Sequence, residues 1–379
     1  MQDLRTSQII QTSILLHQYP LIAKRLFDIC GSAGQIFTMI TAPDRGGVKI
    51  PANLEKKLKG ISEREHQQHL LHTLAWLESP RHRLVHFGSP NYPELLTQIP
   101  DPPLLLYVVG DLALLAHPQL AIVGSRNPTQ YGRRVTRLFA QEIAKSGIIV
   151  TSGMARGIDS TAHRGALDAG CPTIAVLGTG CDQAYPRENK GLMDEIANLG
   201  LLVSEFPPGT GPAAVNFPQR NRIVTGLSCG TVVVEARVRS GSLISARLAM
   251  EQGRSVFAVP GSVLSKQSEG CHHLLREGAR LTAGVSDIIE ELSISHPELR
   301  FHNEDSVESA ISALSEREQL ILRSLDLEPI SIDKISELTG ILVTEILQTL
   351  VGLELLGLIN TRAGGYQLGV DWKRNGRDG

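Results

Sequence analysis

The sequence predicts an α/β protein, an extended Rossmann-like fold with a doubly wound, mostly parallel sheet. An N-terminal helical domain precedes it and a C-terminal winged-helix domain follows. Three observations predict this. From Leu120 onward, short apolar runs alternate with stretches of helical length, the pattern of a parallel sheet covered on both faces. Upstream, apolar residues recur at helical spacing. Downstream of residue 312, helical segments lead into a Gly-Gly turn.

Residues 1–100 read as helical: Ser7–His17, Pro20–Cys30, and a longer helix over Glu63–Glu78 that carries Leu70, Leu71, Leu74 and Leu77. Proline and asparagine at Ser89–Pro93 and Asp101–Pro103 mark turns and extended chain. Strands are expected at Leu120–Val123, Ile148–Val150, Thr173–Leu177, Leu201–Val203, Thr231–Val234 and Ser255–Val259. Helices between them are expected at Gly132–Ser146, Asp159–Ala169, Asn189–Leu199 and Ser242–Gln252. The polar stretch 292–312 reads as a linker. The helices Ser315–Leu325, Ser331–Leu338 and Val343–Leu356, with a hairpin turn at Thr361–Tyr366, then read as a winged helix over 313–370.

The chain has 379 residues, which suggests two or three domains. Its 42% hydrophobic and 20% charged residues are those of a soluble globular protein. Aromatic content is only 4%, too little for a ligand site built on stacking alone. Cys30, Cys171, Cys181, Cys229 and Cys271 are scattered, with no Cys-x-x-Cys pair, so no disulfide framework or zinc ribbon is indicated and a reducing cytoplasm is expected. No signal-peptide pattern and no apolar run of membrane-spanning length is found, so no membrane association is expected. Charge is unevenly placed. Residues 111–280 hold 18 Lys+Arg against 13 Asp+Glu, and residues 291–379 hold 8 against 15. The first region should attract phosphates and the second should repel them.

In a doubly wound sheet, ligands bind at the carboxyl ends of the strands. Here those ends carry Gly124–Gly132, Ser152–Asp159, Leu177–Asp182 with Tyr185–Lys190, Phe217–Arg222, and Glu235–Arg237 followed by Ser240-Gly241-Ser242. Glycines let a backbone approach a ligand, helix N-termini favour anions, and arginine forks grip phosphates. Several such loops on one rim suggest several phosphates in a row, the signature of a nucleic-acid backbone. The candidate contacts are Gly124, Ser125, Arg126, Gly153, Arg156, Arg187, Asn189, Lys190, Arg220, Asn221, Arg222, Ser240, Gly241 and Ser242.

Each signal has a plainer reading. Gly178-x-Gly180 lacks the third glycine of the dinucleotide fingerprint, so no cofactor is expected. Arg126 and Arg156 could serve structural ion pairs. Asp159 reads as a helix N-cap rather than a catalytic acid. His163 reads as a packing histidine, and Cys229 as a small buried residue. Either Arg220 or Arg222 could brace the loop while the other points outward. His272 and His273 lack partners at metal-ligand spacing, so no metal site is expected.

Together, Gly-Ser-Arg-x-x-Thr-x-Tyr-Gly at 124–132, Ser-Gly-x-Ala-Arg-Gly-Ile-Asp at 152–159 and Arg-Asn-Arg at 220–222 resemble the DNA-processing protein A family (DprA, also called Smf). The likeness covers the α/β core, reaches upstream to Tyr92-Pro93, and continues downstream through the winged helix. It implies a Rossmann-like core that binds and protects single-stranded DNA and loads the RecA recombinase during natural transformation and recombination. No catalytic residues are implied. The family's DNA-contacting basic residues fall on Arg126 and Arg187, and its dimer and RecA surface falls near Met250, His272, Leu275 and Leu281. It further implies a homodimer, a sterile-alpha-motif-like fold for residues 1–100 and a DNA-binding core over 101–291, and it leaves single-strand-binding protein open as a partner. Ser245 stands where the family usually has Thr, Cys271-His272 replaces a more usual pair, and Arg187 stands where Lys is also common.

Two rival functions are weighed. Gly230–Glu235 resembles the Gly-Thr-x-x-Glu segment of phosphoribohydrolases with one residue too many, and no acid/base pair accompanies it. A transcription factor would read DNA through Val343–Leu356, but that helix has no Lys or Arg. The apolar residues Leu243, Leu248, Met250, Leu274 and Leu275 exceed what a sheet-covering pair of helices strictly needs; either all of them face the sheet or they contribute to the self-association that the resemblance implies.

Overall fold

The computed structural model describes residues 63–295, 314–325, 329–355, 359–362 and 364–368, with isolated positions at 7, 10, 12, 26, 30, 35 and 36. The expected helices Ser7–His17 and Pro20–Cys30 lie outside the described residues, as does most of the expected linker. The chain divides into two compact units, Met1–Arg300 and Phe301–Gly379.

In the first unit, α1 (Glu63–Leu77) leads into β1 (His82–His86), a short α2 (Glu94–Thr97) and β2 (Leu105–Gly110). Then come β3 (Gln119–Val123), α3 (Gln130–Lys145), β4 (Ile149–Ser152), α4 (Ile158–Asp168), β5 (Thr173–Leu177), α5 (Lys190–Leu199), β6 (Leu201–Ser204) and α6 (Asn216–Gly226). The unit continues with β7 (Gly230–Val233), α7 (Gly241–Glu251), β8 (Ser255–Ala258), α8 (Glu269–Arg276), β9 (Arg280–Leu281) and α9 (Val285–Ser295). Each expected strand and helix of the core is present, shifted by a residue or two at its ends.

The sheet has nine strands in the order β1-β2-β6-β5-β4-β3-β7-β8-β9. Only the β1/β2 and β2/β6 pairings are antiparallel. Two of its strands depart from the sequence reading. His82–His86 lies in the region read as helical, and Leu105–Gly110 was assigned no element. The apolar run Leu105–Val109 is buried throughout, so it lacks the polar alternation that marks a half-exposed strand. β1 has one buried side chain, Val85, and is held chiefly by its backbone ladder to β2.

Strand side chains alternate between two apolar layers. Leu106, Val108, Ile174, Val176, Leu201 and Val203 join the core on one face. Leu105, Tyr107, Val109, Ala175, Leu177 and Leu202 join the other. The chain runs from β3 outward through β4, β5 and β6, then crosses back to place β7 on the far side of β3. That reversal opens a crevice at the carboxyl ends of β3 and β7, the usual ligand position in such sheets.

Three further elements correct the expectations. Phe217–Arg222 was read as a loop but lies within α6. Pro218 sits in the first turn, where a missing N–H costs no helical bond. Helix α9 extends to Ser295, and Leu292 is fully buried, so the first residues of the expected linker are helical. Leu274, counted toward an exposed apolar surface, is buried in the core.

The second unit contains α10 (Glu316–Ser324), α11 (Ile332–Thr339), α12 (Val343–Leu355), and the hairpin β10 (Ile359–Arg362) with β11 (Gly365–Leu368). Ser315 and Glu318 form a reciprocal capping box at α10. Gly340 ends α11 at φ 70°. Its apolar core includes Ile321, Leu322, Ile335, Ile346, Leu350 and Leu353. Among the described residues, no single helix is long and apolar enough to cross a membrane.

Candidate nucleic-acid interface

The loops at the carboxyl edge of the sheet are fastened to one another by their backbones. Ser125 N donates to Glu235 O at 2.7 Å, and Ile158 N donates to Ser125 O at 3.1 Å. These links tie the loops after β3, β4 and β7 together. Gly157, at φ 81°, allows the second link, since a Cβ there would lie 2.3 Å from Ser125 O. Gly124 is equally constrained, 2.6 Å from the Ile158 side chain. Asn189 Nδ2 donates to Met154 O at 2.9 Å and holds the Arg187–Asn189 turn against the loop after β4. Met154 itself sits at φ 59°, a left-handed conformation rare for a side chain of this kind. Gln267 completes the frame, donating to Asn127 O at 3.0 Å.

Within this frame lies a cleft of 740 Å³, lined by Gly124, Ser125, Arg126, Gly153, Arg220, Asn221 and Ser240-Gly241-Ser242. A neighbouring cleft of 650 Å³ adds Arg156 and Arg187 and shares Arg126 and Arg220. Arg126, Arg156, Arg187 and Lys190 are exposed. Arg156 is paired with Glu188 at 2.6 Å, and Lys190 with Asp194 at 3.0 Å. Most of the expected residues thus converge on one edge.

Arg222 does not. It is only 3% exposed, contacting Glu205 at 2.6 Å and Asp101 at 2.7 Å. Burial disfavours its charge, but the two carboxylates outweigh that and raise its pKa. Burial pushes the Glu205 carboxyl up, with Arg222 only partly opposing. Arg222 is therefore a brace between α6, β6 and the Asp101 turn. Arg220 is also buried. Its guanidinium donates to the carbonyls of Gly153 and Val176, and Gly153 must lack a side chain because a Cβ would lie 2.6 Å from that guanidinium. Burial lowers the Arg220 pKa to about 10, opposed by Asp159. Both arginines of the Arg-Asn-Arg motif are inward, so Arg220 floors the cleft with its charge and Arg222 lies outside it.

Asp159 is not the N-cap of α4; that position is Gly157. Its carboxylate turns back to accept from Ala155 N at 3.3 Å and faces Arg220. Burial raises its pKa, and Arg220 opposes the rise. Glu235 is buried beneath the N-terminus of α3. It accepts from Thr129 N at 2.9 Å and from the Thr129 hydroxyl, and Gly132 is needed to clear it. An internal carboxylate already occupies that helix end, so α3 offers no anion site there. The same contacts commit the residue on which the phosphoribohydrolase reading rested. By contrast, α7 opens into the cleft through Ser240, Gly241 and Ser242 with no side-chain cap.

Several site residues lie in or beside the expected rim loops but outside the candidate contacts. Arg237 and Arg239 are exposed on the cleft, and the run Arg-Val-Arg before Ser-Gly-Ser was the available signal. Tyr185 is 45% exposed and lies 5.1 Å from Phe217, centroid to centroid. Arg126 stands 6.0 Å above the Phe217 ring. Phe217 lies across Gly178, where a Cβ would come within 2.8 Å. Few aromatics are needed when two are placed together on the rim.

On the expected self-association surface, Met250 is 40% and Leu281 57% exposed. Leu275 is partly buried against the core, and His272 Nε2 lies 3.0 Å from Gly261 O. None of the five cysteines is in a disulfide. Among the described residues, no cluster of three or more His, Cys, Asp or Glu could hold a metal. On α12, Glu345 pairs with Arg317 at 3.3 Å and Glu354 accepts from Thr361, so its acids face partners within the domain.

The family model of the DNA recombination-mediator protein A matches residues 83–293. That of the DprA winged helix domain matches residues 307–365. The chain is 42% identical to protein Smf of Escherichia coli (strain K12) over 301 residues, covering 78% of this chain and 79% of that one. It is similar to the X-ray structure of DprA from Streptococcus pneumoniae, with a TM-score of 0.62 and 36% identity, covering 79% of this chain and 97% of the other. The structure of Helicobacter pylori DprA, which concerns that protein's single-stranded DNA binding mode, aligns with a TM-score of 0.51 and 34% identity, covering 56% and 97%.

Proposed function

The chain belongs to the DNA recombination-mediator protein A family, and from that premise we propose that its rim binds single-stranded DNA, mainly by the phosphates, and delivers it to RecA. The observation that carries this reading is one pre-formed edge bearing exposed Arg126, Arg187, Arg237 and Arg239 around the open N-terminus of α7. Arginine forks and helix amides both suit phosphate oxygens. Tyr185, exposed on the rim and backed by Phe217, offers an aromatic face to a base. The Helicobacter relative's single-stranded DNA binding supports the same choice of ligand.

The protein acts as a binding and delivery factor in natural transformation and recombination, not as an enzyme, and its setting is the cytoplasm. A strand held by its phosphates keeps its bases free for a recombinase that must pair them. Self-association runs through the exposed Met250 and Leu281 on α7 and β9. The test is Arg126→Ala and Arg187→Ala. Each should weaken binding to single strands of every sequence and flatten the log–log salt slope by about 0.7. Unchanged affinity in both variants would remove the site. Unchanged RecA assembly on strands coated with single-strand-binding protein, despite DNA binding, would remove the delivery role.

A further inference from the structure

We propose that a groove walled by the amino-terminal halves of α3, α4 and α5 is a second phosphate track, which receives the strand as it leaves the rim. The inference rests on the rim reading above. The groove has a volume of 700 Å³ and is lined by Arg133, Arg134, Arg137 and Arg164, together with Ser160 and Thr161, whose hydroxyls donate to Gly157 O. Helix α3 packs on the core through Thr136, Phe139, Ala140 and Ile143, so its arginines occupy the opposite face and are not needed for that packing. Arg133 and Arg137 stand one turn apart on that face.

Glu188 lines the groove and two further carboxylates pair with its arginines, so each of the three already holds an arginine. Asp168 pairs with Arg137, Glu195 with Arg164, and Glu188 with Arg156. The paired Arg137 and Arg164 side chains remain 56% and 42% exposed, so they are oriented but still accessible. Arg133 and Arg134 are exposed, and neither meets a carboxylate among the described residues. Clustered, accessible guanidinium forks are a phosphate-binding set.

Continuity with the rim comes from the Arg187–Asn189 turn. Arg187 lines the rim cleft, while Glu188 and Asn189 line the groove. The Arg156–Glu188 pair stands at the threshold, with Arg156 on the cleft side. The lining also lacks the exposed apolar centre that a protein partner would require.

The test uses the full chain with two oligonucleotides, one of about 6 nucleotides, within the site size of a single binding fold, and one several times longer. The double variant Arg133→Ala/Arg134→Ala and the single variant Arg164→Ala should leave the short ligand's affinity unchanged. For the long ligand they should weaken binding and reduce the salt slope by about 0.7 per lost contact. Arg83→Ala, an exposed arginine on the edge strand β1, should change neither ligand and controls for general loss of charge. Arg126→Ala should weaken both ligands. The proposal is overturned if the groove variants bind the long strand as the wild type does while Arg126→Ala still fails. Equal weakening of short and long ligands would also overturn it, because the groove would then belong to the minimal site. If Arg126→Ala and Arg187→Ala were silent and the groove variants were not, the rim reading would fall and the groove would stand as the main track.

Discussion

His163 lies fully buried on α4, with Nδ1 at 2.8 Å from the Thr173 hydroxyl. That hydroxyl donates to Val150 O at 2.6 Å, so Nδ1 carries the ring proton and donates to it. Nε2 has no hydrogen-bond partner among the described residues. Burial, reinforced by the nearby Arg220 charge, lowers the pKa to about 3. The unfolded chain takes up a proton near its ordinary value of about 6.5 and the folded chain does not. Between those values the unfolded state binds more protons, so this residue's share of stability is present at neutral pH and lost as pH falls from about 6.5 towards 3. His163→Gln should flatten the fall of stability over that window by up to about 1.4 kcal/mol per pH unit, read by denaturant unfolding at fixed pH values. An unaltered pH dependence would contradict the burial argument. The sequence marked His163 as a packing residue, and the structure places it in the core. The sequence left open which of Arg220 and Arg222 braces the loop, and the structure turns both inward. The answer depends on Asp101, Glu205 and the Gly153 carbonyl, all distant in sequence and brought together only by the sheet order.

At the scale of elements, what could be read depended on periodicity. β3 to β8 and the helices α3, α4, α5 and α7 are contiguous apolar runs and amphipathic stretches, and the sequence predicts each of them. β1 and α6 carry little apolar pattern of their own. β1 is held by pairing to β2, and α6 by the buried ion pairs of Arg222. The cap of α3 shows how elements fix the rim. Glu235 leaves β7, crosses beneath the Gly124–Gly132 loop, and accepts two bonds from Thr129. Glu235→Ala should remove the carboxylate that accepts both Thr129 bonds and lower stability by about 1.5–3 kcal/mol, the usual size for a hydrogen bond to a charged group, measured by thermal or chemical unfolding. If Glu235 were instead a hydrolytic acid, the wild type would release free base from AMP and the variant would not. Neither protein is expected to do so.

The whole molecule separates a cationic core from an acidic C-terminal domain. The second unit has its own apolar core, and the acids on α12 contact neighbours within it. DNA binding should therefore reside in the first unit. A chain ending after Ser295 should keep most of its single-strand affinity and still speed RecA assembly; loss of DNA binding would place the site elsewhere. Met250→Glu should shift a dimer towards monomer, since burying one apolar side chain contributes about 1.5–3 kcal/mol. Light scattering at micromolar concentration reads this, and a wild type that runs as a monomer would contradict the proposed surface. Strand binding at the rim is tested most directly by titrating single- and double-stranded oligonucleotides of the same sequence with the full chain at several salt concentrations. The single strand should bind more tightly, with log affinity falling against log salt at about −0.7 per phosphate contacted. Equal or tighter binding of the duplex, or single-strand affinity indifferent to salt, would contradict it.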